Sequence, residues 1–215
     1  EFGEPELATL LQQAALNRRT GLQHILWNES EGQWMDAQIV PSGDATAPHT
    51  RLRTNCRVLS NFLPLWALTP SDLRMIGVDD RVVLDQLTAS PLSLRGGVAT
   101  TSCSTGQQWD FPNMWAPIMH MLVEALDRHG HREAAVELAS QLVSSVYWGH
   151  AHSGAIFEKY DARCMGVRGV GGEYEPQVGF GWTNGATLAL LQSMAGELHL
   201  LSRGKDDECT CADAS

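Results

Sequence analysis

Residues 106–117 of this chain read "GQQWDFPNMWAP". This stretch places two tryptophans, one carboxylate and two prolines directly before an apolar run with helical period. One interpretation is a packed turn, in which Trp109 and Trp115 lie in the core and Pro112 begins a helix. The other is the wall of a sugar site, because the C–H faces of a sugar pack on aromatic rings while its hydroxyls bind amides and carboxylates.

Helical periodicity extends in both directions from this stretch, and the alternation typical of strands is rare. Helices are predicted over residues 5–26, 56–68, 71–87, 112–129, 131–148 and 184–201, with Ser71 and Asp72 as the cap of the third. Residues 34–40 are predicted to be a short extended segment. Glycine-rich loops and a tight turn at Gly130 separate these segments, so the chain is expected to be all-α and built from antiparallel helix hairpins.

Composition limits the classes of protein to which this chain can belong. Its 215 residues, 43% of them hydrophobic, suit one domain or a large piece of one. The formal net charge of -10 and the absence of a basic stripe exclude nucleic acid as a partner. No apolar run approaches the roughly 20 residues of a membrane helix. Five scattered cysteines exclude a dense disulfide framework, and the polar residues 202–215 are expected to form a disordered tail.

Two further loop stretches also combine carboxylates with aromatic rings. They are "EKYD", residues 158–161, and "GGEYEPQVGFGWTNG", residues 171–185. Taken singly, each has a structural explanation, such as an ion pair between Glu158 and Lys159 or a flexible glycine hinge. The composition of the three stretches fits carbohydrate chemistry, because glycosidic cleavage needs carboxyl groups on both sides of the bond.

The three stretches resemble the signatures of trehalases, the glycoside hydrolases that split α,α-trehalose into two glucoses. Residues 108–117 match the family's Gln-Trp-Asp-x-Pro-x-x-Trp-x-Pro signature, residues 171–185 match its glycine-rich Glu-Tyr signature, and "EKYD" lies between them as it does in the family. The resemblance covers nearly all of residues 5–200. It implies an (α/α)6 toroid, of which residues 1–201 would form the C-terminal part and hence a partial toroid.

The resemblance also implies an inverting hydrolysis of trehalose that uses neither a metal nor another cofactor. Glu158, in the family's Glu-Lys-Tyr-Asp stretch, is expected to be the general base that activates water. Trp109 is expected to be a platform for the sugar, and Glu173 on the glycine-rich loop to bind sugar hydroxyls. The other expected substrate-binding residues, which brace the loop or form the pocket wall, are Gln108, Asp110, Phe180 and Trp182.

One catalytic group that the family requires has no counterpart in this sequence. The family's general acid is an aspartate in an upstream Glu-Ser-Gly-Trp-Asp stretch, which this chain lacks. The expected partner is therefore the missing N-terminal half of the same protein, together with trehalose as the small-molecule substrate. The alternative hypothesis is a catalytically inactive fragment that binds sugar or another protein, and a third is another helical-toroid glycosidase.

Two remaining features bear on location and on metal binding. Residues 28–30 fit the glycosylation sequon, which favours a secreted or membrane-anchored protein over a cytoplasmic one. The pairs His129/His131 and His150/His152 have no cluster of thiols or carboxylates nearby in sequence, so they are predicted to be turn and surface histidines and no metal site is expected.

Overall fold

A computed structural model of the chain describes residues 3–41 and 49–202. Within these residues the fold consists of helices joined by long loops, with short strands only in two-stranded ribbons. The α-helices are α1 Pro5–Gly21, α2 Pro64–Ala67, α3 Pro70–Ile76, α4 Asp80–Thr88, α5 Ala116–Arg128, α6 Arg132–Ser153 and α7 Gly181–Ser193. The antiparallel strand pairs are β1 Trp27–Asn28 with β2 Gln33–Trp34, β3 Ala37–Val40 with β4 His49–Leu52, β5 Ser93–Leu94 with β6 Gly97–Val98, and β7 Asn113–Met114 with β8 Tyr160–Asp161.

The centre of the fold is the hairpin of α5 and α6. The buried side chains of α5 include Met119, Leu122, Val123 and Leu126, a spacing that places them on one face of the helix. This face packs against α6, and α2 and α7 also contact α5. The helix pair predicted around Gly130 is thus confirmed, although α5 begins at Ala116 rather than at Pro112. The proline in its first turn is Pro117, where the missing N–H is not needed.

The region predicted as one helix over residues 71–87 is two helices, and the predicted cap is wrong. Thr69 is the N-cap of α3, because its hydroxyl accepts from the Asp72 N–H while the Asp72 carboxylate accepts from the Thr69 N–H. Gly77, with φ +74°, ends α3 in the left-handed conformation that favours glycine. Asp79 then caps α4 by accepting from the Arg81 N–H at 2.9 Å.

The helix predicted over residues 56–68 is also largely wrong. Only a 3₁₀ turn at Leu59–Phe62 and the single turn of α2 are helical there. The residues before them are held extended, since Val58 forms a β-bridge with Thr101 and Cys56 is joined by a disulfide to Cys103. These tertiary contacts override the local helical pattern.

The remaining predictions of secondary structure differ mainly at the boundaries. The first helix continues beyond α1 as a π-helical turn at Leu22–Leu26, and β3 lies inside the predicted extended segment. The last predicted helix, over residues 184–201, is α7, which begins earlier and ends eight residues earlier, at Ser193. Apart from Ser202, the predicted tail lies outside the described residues. Across residues 3–41 and 49–202, none of the helices has the length and apolar character needed to span a bilayer.

One histidine assigned to the surface is buried instead. His129 lies in the predicted turn, but its side chain is only 1% exposed. Its Nδ1 is 3.2 Å from a carboxylate oxygen of Asp80, and its Nε2 is 3.0 and 3.1 Å from the carbonyl oxygens of Leu65 and Leu68. His129 therefore connects the end of α5 to α2 and α4.

Candidate active site

A short strand pair brings the first two sequence motifs together. In it, Asn113 of β7 lies opposite Asp161 of β8, and Met114 lies opposite Tyr160. Next to the pair, the Ala162 N–H donates to the Pro112 carbonyl at 2.9 Å. Residues 108–117 and 158–161 are therefore joined by this strand pair, although more than forty positions separate them in the sequence.

The side chain of Asn113 attaches the glycine-rich loop, residues 166–180, to the same strand pair. Its Nδ2 donates to the Asp110 carbonyl at 2.9 Å and to the Val170 carbonyl at 3.0 Å. The Gly169 N–H also donates to the Lys159 carbonyl at 3.0 Å. All three motifs singled out in the sequence consequently meet in one place.

Glu158 lies where the motifs meet, and both of its carboxylate oxygens accept hydrogen bonds from the glycine-rich loop. The residue is 2% exposed. Oε1 accepts from the Tyr174 hydroxyl at 3.0 Å, and Oε2 accepts from the Gln177 N–H at 2.9 Å. The bond donated to this carboxylate raises the pKa of the Tyr174 hydroxyl, with burial as a smaller cause. The carboxylate is thus held in one orientation by two donors.

The backbone of Glu158 is fixed as firmly as its side chain. Its N–H donates to the Gln177 carbonyl at 2.9 Å. Its carbonyl accepts from Trp182 Nε1 at 3.0 Å and from the Thr183 hydroxyl at 3.2 Å, both in the first turn of α7. The expected base is therefore connected directly to one of the expected wall residues.

Four aromatic rings form a continuous wall beside Glu158. Trp109 stacks on Trp115 with ring centroids 4.2 Å apart and planes at 16°, and Trp182 packs edge-on against Trp115 at 5.2 Å. Phe180 packs edge-on against Trp182 at 4.8 Å. Trp115 is 1% exposed, whereas Trp109 is 40% exposed. The structure thus brings both tryptophans into one stack, with Trp115 in the core and Trp109 presenting a ring to solvent.

Asp110 holds the loop that carries Trp109. Its buried carboxylate accepts from the N–H and the hydroxyl of Thr105 and, at 2.9 Å, from the Gln107 N–H. Burial raises the pKa of Asp110, but the bonds from Thr105 and Gln107 outweigh it and leave the pKa below the usual 3.8. The ionised carboxylate is therefore the form that holds this loop.

Gln108 lies beneath the glycine-rich loop and packs against its backbone. It is 4% exposed, and its Nε2 donates to the Tyr174 carbonyl at 3.4 Å. A Cβ on Gly172, which has φ +97°, would lie 1.9 Å from Gln108 Oε1 and 2.6 Å from Gln108 Cα. Only glycine fits at this crossing of the two loops.

Glu173 is the expected site residue that the structure does not bring into this network. It lies on the exposed side of the glycine-rich loop, and it has no hydrogen bond or ion pair with any other described residue. Its expected role with sugar hydroxyls stays a prediction.

Three residues with prominent contacts were missed by sequence reasoning. Tyr174 and Gln177 belong to the glycine-rich signature, but nothing local marks them as donors to Glu158. Lys159 was considered only as an ion-pair partner of Glu158, and no such pair occurs in residues 3–41 and 49–202. Nor does this part of the chain contain a group of three or more His, Cys, Asp or Glu side chains that could hold a metal ion.

Comparisons with known proteins agree with the motifs. The family model described as Trehalase matches residues 1–195. A probable trehalase of Oryza sativa subsp. japonica is 37% identical over 199 residues, which are 88% of this chain and 35% of the relative. A periplasmic trehalase of Escherichia coli O1:K1 is 32% identical over 190 residues, 88% of this chain and 31% of the relative.

The solved structure of neutral trehalase Nth1 from Saccharomyces cerevisiae has a similar fold. The two superpose with a TM-score of 0.62 at 23% identity, over 85% of this chain and 30% of that chain. The similarity confirms the predicted partial (α/α)6 toroid. The chain spans about a third of the length of the relatives that it matches. Because the family model covers nearly the whole chain, the chain belongs to the trehalase family.

Proposed function

We propose that this chain supplies the general base and the sugar-binding wall of an inverting α,α-trehalase. The observation that carries the proposal is the setting of Glu158, a buried carboxylate whose two oxygens accept from Tyr174 and Gln177 beside an aromatic wall. A base in an inverting hydrolase must hold one water in line with the anomeric carbon, and a carboxylate fixed by two donors meets that demand.

In the proposed reaction, Glu158 accepts a proton from the attacking water while a second carboxyl group protonates the leaving oxygen. Inverting enzymes hold these two groups roughly 6.5–9.5 Å apart to leave room for the water. The second group would come from polypeptide outside this chain, in keeping with the third of each relative that the chain spans. Trehalose, with two glucose units, is the proposed substrate.

The other predicted residues receive binding roles in the same proposal. Trp109 offers its exposed ring to a C–H face of the sugar, and Phe180 and Trp182 extend the wall towards Glu158. Asp110 holds the loop of Trp109, and Gln108 bonds to the glycine-rich loop, each through partly buried hydrogen bonds. Glu173, exposed on the glycine-rich loop, would accept hydrogen bonds from sugar hydroxyls.

The experiment compares Glu158→Gln with the unaltered protein, both in the complete polypeptide that contains this chain. Loss of the base is expected to reduce kcat for trehalose by about 10³-fold. The control is Glu133→Gln, an exposed carboxylate in the first turn of α6, which is expected to leave kcat unchanged. Proton NMR during hydrolysis should show α- and β-glucose forming in equal amounts, because inversion changes one anomeric centre. A fall of less than about 10-fold in Glu158→Gln, or α-glucose alone, would refute the assignment.

The second candidate function is that this chain, without catalytic activity of its own, binds sugar or another polypeptide. No residue of α1 is buried, and Leu7, Leu10 and Leu11 on it are each more than half exposed. We propose that this apolar face packs against the remainder of the trehalase polypeptide. The sugar-binding part of this alternative rests on the exposed ring of Trp109. Calorimetry with trehalose on the 215-residue chain tests it, and the absence of measurable heat would count against sugar binding by this chain alone.

The proposed location is outside the cytoplasm, as a secreted or membrane-anchored protein. The disulfide between Cys56 and Cys103 suits an oxidising compartment, and one relative is a periplasmic trehalase. The sequon at Asn28 points the same way. Fractionation of the source cells is the test, and recovery of the protein only from the cytosol would refute the proposal.

A further inference from the structure

Lys159, the residue after the proposed base, has a fully buried side chain whose ammonium donates hydrogen bonds only to backbone oxygens. It is 0% exposed. Nζ donates to the carbonyls of Gln108 at 3.2 Å, Val170 at 3.3 Å and Gly171 at 2.8 Å. An ammonium has three N–H donors, so these three acceptors use all of them. No carboxylate of the described residues lies within ion-pair distance of it.

The space around this side chain is shaped to receive it. A Cβ on Gly169 would lie 2.8 Å from Lys159 Cγ, so the glycine leaves room for the stem. The ring of Trp115 lies 5.6 Å from Nζ, within the range of a cation–π contact. Burial lowers the pKa of Lys159, and the nearby charge of Glu158 acts in the opposite direction. Burying an ammonium costs free energy, and the three hydrogen bonds to carbonyl oxygens offset part of that cost.

The three carbonyls belong to the two loops that form the proposed site. Gln108 immediately precedes the platform Trp109. Val170 and Gly171 begin the loop that continues to Tyr174 and on to Gln177, which hold the two oxygens of Glu158. One ammonium thus joins Gln108, next to the aromatic wall, to the loop that orients the base.

We propose that Lys159 is a positioning residue whose three hydrogen bonds hold the glycine-rich loop against the aromatic wall and thereby orient Glu158. The catalytic consequence rests on the proposed function, whereas the contact between the two loops does not. If Lys159 only stabilised the core, removing its donors would raise hydrogen exchange at amides throughout the chain. If Lys159 positions the loop, exchange rises first at the amides that join this loop to the segment around Glu158, and less in the helices.

The experiment measures backbone hydrogen exchange in Lys159→Met, which keeps a stem of similar length and removes the donors. The reporting amides are those of Glu158, Gln177 and Gly179, which bond between the loop and residues 156–158. Their exchange rates are expected to rise at least about 10-fold, because that factor corresponds to the free energy lost with a hydrogen bond to a charged group. Exchange in the α5–α6 hairpin should rise no more than the loss of global stability requires.

The control variant removes a cation elsewhere. Arg57→Met deletes the partner of Glu31 in an ion pair that is about one-third exposed, and it should leave the reporting amides as protected as in the unaltered chain. If Lys159→Met does not fold, Gly169→Ala disturbs the same junction, because its Cβ would also lie 2.5 Å from Asn113 Oδ1. It should raise exchange at the same amides. A uniform rise across the chain, or unchanged exchange at the reporting amides, would overturn the proposal.

Kinetics on the complete polypeptide then test the catalytic consequence. Lys159→Met is expected to lower kcat for trehalose about 10²-fold, the cost of displacing a catalytic group by about 1 Å. KM should change less than about 3-fold, because Trp109 still stacks on Trp115. A loss confined to KM would overturn the positioning role. No hydrolysis by the unaltered polypeptide would refute the proposed function, while the exchange measurement would still decide whether Lys159 joins the two loops.

Discussion

Replacing Gly172 by alanine tests whether the glycine-rich loop must pack against Gln108, the residue next to the aromatic wall. A Cβ at this position would lie 1.9 Å from Gln108 Oε1 and 2.6 Å from Gln108 Cα, whereas ordinary contact begins at 3.4 Å. The side chain of Gln108 can rotate, but its Cα cannot. The distance from the new Cβ to Gln108 Cα must therefore grow from 2.6 to about 3.4 Å, so the two loop backbones must move apart by about 0.8 Å, which moves the loop that carries Tyr174 and Gln177.

The magnitude has two contributions. The positive φ of +97° at Gly172 costs an alanine about 1–2 kcal/mol. Overpacking against a fixed backbone adds about 1–3 kcal/mol. Gly172→Ala should therefore lower the free energy of unfolding by about 2–5 kcal/mol, and the displaced loop should lower kcat for trehalose about 10²-fold.

The neighbouring glycine provides a matched control. Gly171 also has a positive φ, +76°, but a Cβ there would meet nothing within 4 Å. Gly171→Ala should thus cost only the conformational contribution, about 1–2 kcal/mol, and leave kcat close to normal. Urea unfolding of both variants gives the free energies, and trehalose hydrolysis by the complete polypeptide gives the rates. Equal losses of stability and activity in the two variants would refute the role of the loop contact.

Three further predictions concern other contacts of the same region. Tyr174→Phe removes the hydroxyl that donates to Glu158 Oε1 at 3.0 Å and should lower kcat for trehalose about 10-fold or more, and an unchanged kcat would contradict this role. Its stability should change little, because Tyr174 is 48% exposed. Asp110→Asn should lower the free energy of unfolding by about 2 kcal/mol at pH 7. Because the folded-state pKa of Asp110 lies below 3.8, the stabilisation by its carboxylate is complete above that pH and is lost as the pH falls through the folded-state pKa. Urea unfolding should therefore show a smaller difference in stability between Asp110→Asn and the unaltered chain at pH 3 than at pH 7, and a constant difference would argue against an ionised carboxylate. Replacing both Cys56 and Cys103 by serine removes a disulfide that spans a sequence separation of 47. The free energy of unfolding, measured in urea, should fall by about 4 kcal/mol, and a fall below about 1 kcal/mol would contradict this contribution of the disulfide.

Local sequence patterns determined much of the fold. The apolar period before and after Gly130 predicted the hairpin of α5 and α6, because residues on one face of a helix recur every three to four positions. The same reasoning failed over residues 56–68, where a disulfide and a β-bridge hold the chain extended. It also missed the break at Gly77, because the apolar pattern continues across it.

In the candidate site, too, some residues could be identified from the sequence and others only from the structure. Motif spelling identified the family and singled out Glu158 and Trp109, since long motifs in a set order are specific. It did not identify the donors to Glu158, because Tyr174 and Gln177 are sixteen and nineteen positions away along the chain and reach it only when the glycine-rich loop folds back.

The stretch at residues 106–117 shows where the limit lies. Its sequence determined that two tryptophans, a carboxylate and prolines lie beside a helix, and both interpretations of the pattern were compatible with that. Only the tertiary structure decided that Trp115 is buried and that Trp109 is the exposed ring of the stack. It also decided that Lys159 bonds to backbone carbonyls rather than to Glu158. The physical reason is that burial and hydrogen-bond partners depend on which distant loops meet, and residue identity and spacing do not encode that locally.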